Sequence, residues 1–270
     1  MNDFTLKTYR NLLLALLNAG YTFYTFENWC DGKAKGKYVI LRHDVDLKAG
    51  HSLATAQIEA KLGIVASYYF RVVPQSNQPE IIKAISLLGH EIGYHYEDLS
   101  ICKGNLEKSI VHFKKQLTYF RKFYPVRTIC MHGSPTSKWD NRELWNTNDY
   151  RDYGIIGEPY FDFLSAKSHK GGLNKEPALY LTDTGRMWDG DKYNIRDKAT
   201  TPYSEKKVGK EVVIHSSFDF IEWLDKGNTS NVLMITTHPQ RWTDNKMEWI
   251  TEYVAQHLKN VVKRLITLRS

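Results

Sequence analysis

The feature that most constrains this chain is a repeated alternation of short apolar runs with longer segments of helical period. "YVILRHDVD", "IVASYYFRV", "HEIGYHYE", "RTICMHG", "ALYLTD" and "NVLMITTH" read as strands, with a weaker one at "GIIG". Between them lie "SLATAQIEAKLG", "QPEIIKAISLLG", "NLEKSIVHFKKQLTYFRKFY", the short "NRELWN" and "SFDFIEWLDKG", which read as helices. "QPEIIKAISLLG" has Pro near its start and Gly after its end, the usual asymmetry of helix termini. "MEWITEYVAQHLKNVVKRLI" closes the sequence as another helix. Strand–helix repetition with apolar strands is the signature of a parallel sheet covered by helices. Six or so units in 270 residues favour one α/β barrel, complete or incomplete, over an open doubly wound sheet. Residues 4–19 precede it as an extra amphipathic helix, with Leu6, Tyr9, Leu12, Leu13 and Leu16 at helical spacing. No repeat or linker divides the chain. The expectation is a single domain over 1–270, with lead-in 1–37, barrel 38–240 and closing helix 241–270.

Composition narrows the class. A hydrophobic content of 42% with 25% charged residues is ordinary for a globular protein. The net charge of +7 is spread along the chain, with a small excess of basic residues in the last helix and no polybasic run. A nucleic-acid partner is therefore not expected. Cys30, Cys102 and Cys130 are odd in number and lack metal-type spacing, which argues for free thiols in a reducing compartment. The N-terminal segment lacks the pattern of a signal peptide, and no stretch is long enough to span a bilayer. A cytoplasmic location is the expectation.

Polar residues gather where such folds place their sites, at the C-terminal ends of strands. Asp44 and Asp46 end one strand, and His95 and Glu97 end another. His132, Asp183 and His238 each end one more. By the pleat, Asp44 and Asp46 share one face of their strand, and His95 and Glu97 one face of theirs. Histidine and carboxylates converging with an open position form a catalytic zinc pattern. Such a metal acidifies a bound water, a carboxylate can then take the proton, and an opposite histidine can protonate a leaving group. Blander readings exist for each residue: Asp44 pairing with Arg42, Asp46 capping the next helix, Glu97 solvated, the histidines hydrogen-bonded in the core. His43 faces away from Asp44, as a core or supporting residue. His51, His112, His169, His215 and His257 sit in helices or loops without a convergent partner. Trp139, Trp188 and Trp242 follow strands and suit either sugar platforms or ordinary packing.

"HDVD" followed by "GHEIGYH" resembles the polysaccharide deacetylases of the NodB-homology superfamily, carbohydrate esterase family 4, over about Tyr38 to Pro239. The "HDVD" form is most similar to a bacterial O-antigen-cluster branch, which implies lipopolysaccharide biosynthesis. The resemblance implies a distorted (β/α)7-type barrel that binds zinc or a similar divalent ion and removes an acyl group, most often acetyl, from an N-acetylated sugar. It implies Asp44 as base, Asp46 and His95 as metal ligands, His238 as general acid and Asp183 as the acid that tunes it. "CMHGSP" occupies the place of a motif that supplies an arginine beside the base. The family's second metal histidine falls at Leu99, so His132, or else Glu97, is expected to replace it. The family's adjacent aspartate pair is split by Val45, which leaves the roles of Asp44 and Asp46 exchangeable. The expected partner is an acetylated sugar or glycan precursor, nucleotide-linked or lipid-linked. The rivals are a non-catalytic glycan-binding protein, motivated by Leu99, and a hydrolase of a non-sugar amide.

Overall fold

The computed structural model describes residues 2–133, 137–164, 178–189, 214–227 and 229–267, with side chains to Val261. Its strands are β1 (Thr22–Tyr24), β2 (Tyr38–Val45), β3 (Ser67–Phe70), β4 (Glu91–Tyr96), β5 (Ile129–Met131), β6 (Ala178–Thr182) and β7 (Val232–Thr237). They form one parallel sheet in the order β5-β4-β3-β2-β7-β6, with β1 added to β2. β1 pairs with the first half of β2, Thr22 opposite Tyr38, and β3 takes over its second half, Arg42 opposite Ser67. The sheet curls into a half-barrel of α/β type with helices around it.

The helices are α1 (Leu6–Asn18), α2 (Phe26–Cys30), α3 (Ala49–Lys61), α4 (Pro79–Leu87), α5 (Asp98–Ile101), α6 (Leu106–Phe120), α7 (Ser217–Asp225) and α8 (Lys246–Thr267). Local chemistry sets their starts. Thr5, Thr25 and Asn105 accept from the third backbone N–H beyond them, and Ser216 and Asp219 form a reciprocal capping box. Leu12, Leu13 and Leu16 of α1 bury the stripe that the spacing indicates.

Two elements differ from the sequence reading. β1 and α2 lie within the expected lead-in, and a three-residue strand is too short to show alternation. "GIIG" makes one bridge, Thr128 to Gly157, instead of a strand. The ladder stops there because the Glu158 carboxylate takes the N–H of Met131 at 3.0 Å, and Pro159 opens a wide turn over Pro159–Phe163.

All eight residues of β2 are buried, so its charged residues need partners on both faces of the sheet. Arg42, Asp44 and Asp46 point into the half-barrel. His43 points to the helices and is fully buried. Its Nε2 lies 2.8 Å from Glu59 of α3, its Nδ1 2.7 Å from the Thr237 hydroxyl, and its ring stacks on Tyr68. Glu59 also accepts from the hydroxyls of Tyr9 and Tyr68, so one carboxylate ties α1, α3, β2 and β3 together. Gly93 answers a demand of close approach: a Cβ there would lie 2.3 Å from the Tyr69 ring.

Replacing Glu59 by Ala would leave His43, Tyr9 and Tyr68 buried without their shared acceptor. The expected cost is about 3–5 kcal/mol, the range for breaking a buried charged pair. Urea unfolding followed by circular dichroism measures it. A loss below about 1 kcal/mol would show that this network is not a fastener of the sheet.

Candidate active site

The site is built upward along β2. Residues two apart on a strand share a face at a spacing of about 6.6 Å, so Arg42, Asp44 and Asp46 form a column towards the mouth. Arg42, fully buried, donates to both oxygens of Asp44, at 3.0 Å from Nε and 2.8 Å from Nη2. Nη2 also donates to the Tyr160 hydroxyl at 3.0 Å. Burial alone would push Asp44 up, but the Arg42 guanidinium, with His95 and His238, brings it below the usual carboxylate range. Asp46, just past the strand, caps no helix: the residue before α3 is Lys48, without a side-chain cap. Gln240 donates to its Oδ2 at 3.4 Å, whereas its Oδ1 is buried and accepts no hydrogen bond.

Two imidazoles face that oxygen. His95 Nε2 lies 3.6 Å and His132 Nε2 3.5 Å from Asp46 Oδ1. His95 Nδ1 lies 2.9 Å from the Cys130 carbonyl, to which it can only donate, so in the neutral ring Nε2 holds the lone pair and faces the centre. His132 follows β5, and its Nδ1 lies 3.0 Å from Glu97, whose carboxylate Arg71 grips at 2.8 and 2.7 Å. Burial opposes ionisation of Glu97, yet His132 and Arg71 hold it down at about 2. Glu97 thus turns to Arg71 and to the rear nitrogen of His132. Leu99 of α5 is buried.

The opposite wall is His238, directly after β7. Its Nε2 lies 3.9 Å from Asp46 Oδ2, and its Nδ1 2.6 Å from Asp183 Oδ1. Asp183, at the end of β6, is fully buried and also accepts from Arg241 at 2.5 Å, the Trp242 indole at 2.9 Å and the His238 backbone N–H at 3.0 Å. Burial would raise it, but Arg241 and His238 hold it down at about 2.

All seven sequence-selected residues therefore meet at one mouth. Among the described residues, two groups have metal-ligand geometry: Asp46, His95 and His132, and Asp44, His95 and Cys130. Glu97 is in neither. Sequence reasoning missed Arg71, Arg241 and the full part of Arg42, because a lone basic residue carries no signal until its carboxylate is placed. In "HPQRW", Arg241 and Trp242 stand within one helical turn of His238, but Asp183, which both of them bind, is 55 residues earlier in the chain than His238. Trp242 and Trp188 are not exposed platforms: both are buried, and their indoles donate to Asp183 and Ser217. Trp139 is half-buried over Gly104. Ser134 and Pro135 of "CMHGSP" lie outside the described residues. The arginine beside Asp44 comes instead from its own strand, as Arg42.

The donor set fits a divalent cation. A buried carboxylate oxygen without a hydrogen bond faces two imidazole nitrogens, one carboxylate and two histidines being a common zinc complement. The rear nitrogen of His95 is oriented by the Cys130 carbonyl, and that of His132 lies 3.0 Å from the Glu97 carboxylate without hydrogen-bond geometry.

No protein-family model matches this sequence, and no curated protein does. Among solved structures, the chain is similar to Bacillus subtilis PdaA, described as a family 4 carbohydrate esterase. The TM-score is 0.41 at 13% sequence identity, over 91% of this chain and 83% of that one.

Proton competition gives a test of the triad. Burial opposes charge on His95, but Asp44 and Asp46 raise its pKa above the ordinary value, so a cation must displace a proton there. Zinc affinity by calorimetry is expected to fall from about pH 8 to about pH 6, with proton release visible in buffers of different ionisation enthalpy. His132→Ala should abolish stoichiometric binding, and Glu97→Gln should weaken it by about 10- to 100-fold. A Glu97→Gln protein that binds zinc like the wild type would remove Glu97 from the support of His132.

Proposed function

We propose that this protein is a metal-dependent amide hydrolase that removes the acyl group, in the first instance acetyl, from an N-acetylated sugar or glycan precursor. The observation that carries this reading is a cation-type triad flanked by two opposed proton-transfer groups. Asp44 on its arginine lies on one side, and His238 on its aspartate on the other. The "HDVD" and "GHEIGYH" motifs support the sugar as substrate class.

Asp46, His95 and His132 would hold the cation, most suitably Zn²⁺, which supplies Lewis acidity towards the acyl oxygen and lowers the pKa of water. The hydrogen bonding favours one assignment of the paired aspartates. Both oxygens of Asp44 are taken by Arg42, whereas Oδ1 of Asp46 has no hydrogen-bond donor. Asp46 is accordingly the ligand and Asp44 the general base. Arg42 keeps Asp44 ionised and fixes its rotamer. The same ion pair limits its basicity, so the attacking water has to be acidified for the transfer to proceed.

His238 carries the second proton. Its Nδ1 is held by Asp183, and its Nε2 faces the centre, where it donates to the departing amine. Asp183 orients the ring, and Arg241 and Trp242 keep that carboxylate in place. Acid and base are drawn from different strands, so the scissile bond lies between them.

Asp44→Asn is expected to lower turnover on N-acetylated sugars by about 10²- to 10⁴-fold while zinc stays bound. Asp46→Asn is expected to lose the zinc. Acetate release and metal content, measured on the same samples, separate the two. If Asp44→Asn strips the metal and Asp46→Asn keeps it, the two roles are exchanged. Zinc-loaded wild-type protein that releases no acetate from any N-acetylated sugar would end the hydrolase reading.

A further inference from the structure

α8 is inverted relative to an ordinary covering helix. Its inner face is polar: Gln256 and Asn260 are buried, donate one to the other at 2.7 Å, and reach the Gly185 carbonyl at 3.0 Å. Trp249 donates to the Asp3 carbonyl at 2.7 Å, and the Arg186 guanidinium lies 4.8 Å from its ring. The outer face is apolar. Met247, Ile250, Val254, Leu258 and Val261 are 73, 51, 50, 64 and 59% exposed, recurring every three or four residues along one stripe. From Met247 to Val261 the stripe runs about 21 Å.

Charge decides what suits the stripe. Glu248 and Glu252 are the last acidic residues of the sequence, and both are engaged on the protein side. Glu248 lies 3.0 Å from His51, and Glu252 lies 4.0 Å from Arg241. Lys246 and Lys259 are exposed, and Lys263, Arg264 and Arg269 follow in sequence. A second copy laid parallel would set Lys246 and Lys259 against their equivalents. Laid antiparallel, it would meet carboxylates already occupied by His51 and Arg241. An anionic lipid surface meets both requirements, taking the apolar stripe into the acyl boundary and the lysines among the headgroups.

We propose that α8 is a membrane-surface helix that docks the protein on anionic lipid. The helix lies against the rim of the catalytic mouth. His51 follows β2, Gly185 follows β6 and Arg241 follows β7, and all three touch it or its side chains. Docking therefore brings the mouth beside the lipid surface. Docking needs no catalysis, so it stands or falls separately from the hydrolase reading.

The test is co-sedimentation of the full chain with vesicles of phosphatidylglycerol mixed with phosphatidylcholine, and with phosphatidylcholine alone. The wild type is expected on the mixed vesicles and not on the neutral ones. Lys259→Glu should weaken binding by about fivefold or more, the factor for one lysine at an anionic surface. Val254→Glu with Leu258→Glu should weaken it by more than about tenfold. Both sites are exposed, so an unchanged circular dichroism spectrum is expected alongside. Absence of vesicle binding, equal binding to the two compositions, or variants that bind like the wild type would overturn the proposal. So would a stable dimer by light scattering that Leu258→Glu converts to monomer, since the stripe would then belong to a second copy.

Discussion

A guanidinium with no exposure sits inside the half-barrel, bound to the carboxylate two residues further along its own strand. Neither charge could be buried alone without a cost of several kcal/mol. The pair is thus possible only if β2 keeps Arg42 and Asp44 on the inner face. Because side chains alternate, this places His43 on the outer face, where Glu59 and the two tyrosines wait for it. A slip of one residue would send a guanidinium to the helices and an imidazole to the barrel. The inner face beneath follows the same rule, as Glu91 accepts from Ser67 and Thr128, and burial raises its pKa to about 7. The interior of this barrel is therefore a stack of polar layers with Asp46 at its open end.

Each histidine at the mouth is held from behind. His95 has the Cys130 carbonyl, His132 has Glu97 on Arg71, and His238 has Asp183 on Arg241 and Trp242. In every case Nδ1 faces the support and Nε2 faces the centre. Holding rings this way reduces the reorganisation that a reaction there would require. Two of the supports are arginine–carboxylate pairs at least three-quarters buried, where solvent screens them little.

Much of this was legible in the sequence, for reasons that differ by residue. The helices with clear terminal signals and an apolar face announced themselves locally, α1 by its leucine stripe and α4 by Pro79 at its start and Gly89 after its end. Asp44, Asp46, His95, His132, Asp183 and His238 were legible as strand-terminal residues, because a parallel sheet sends all strand ends to one side. β1 was not, since three residues are fewer than alternation needs. The bridge at Gly157 was mistaken for a strand because nothing local tells that Glu158 will cap Met131. Trp188 and Trp242 were open between platform and packing, and an indole's orientation depends on acceptors that only the fold supplies. Arg71 and Arg241 were silent because their carboxylate partners are distant in sequence.

The order of strands has a temporal consequence. β2 to β5 add neighbours in chain order, and Asp46, His95 and His132 all lie within the first 132 residues. β6 has β7 as its partner in the sheet, and β7 fits between β6 and β2. Among the described residues β6 thus pairs with a strand synthesised after it, and Asp183 waits with it. Pairings of such long sequence separation are slow to close, and domains emerge from the ribosome N-terminus first. A nascent chain can gather Asp46, His95 and His132 well before Asp183 reaches His238. The meeting of the two walls is left to the final closure of the sheet.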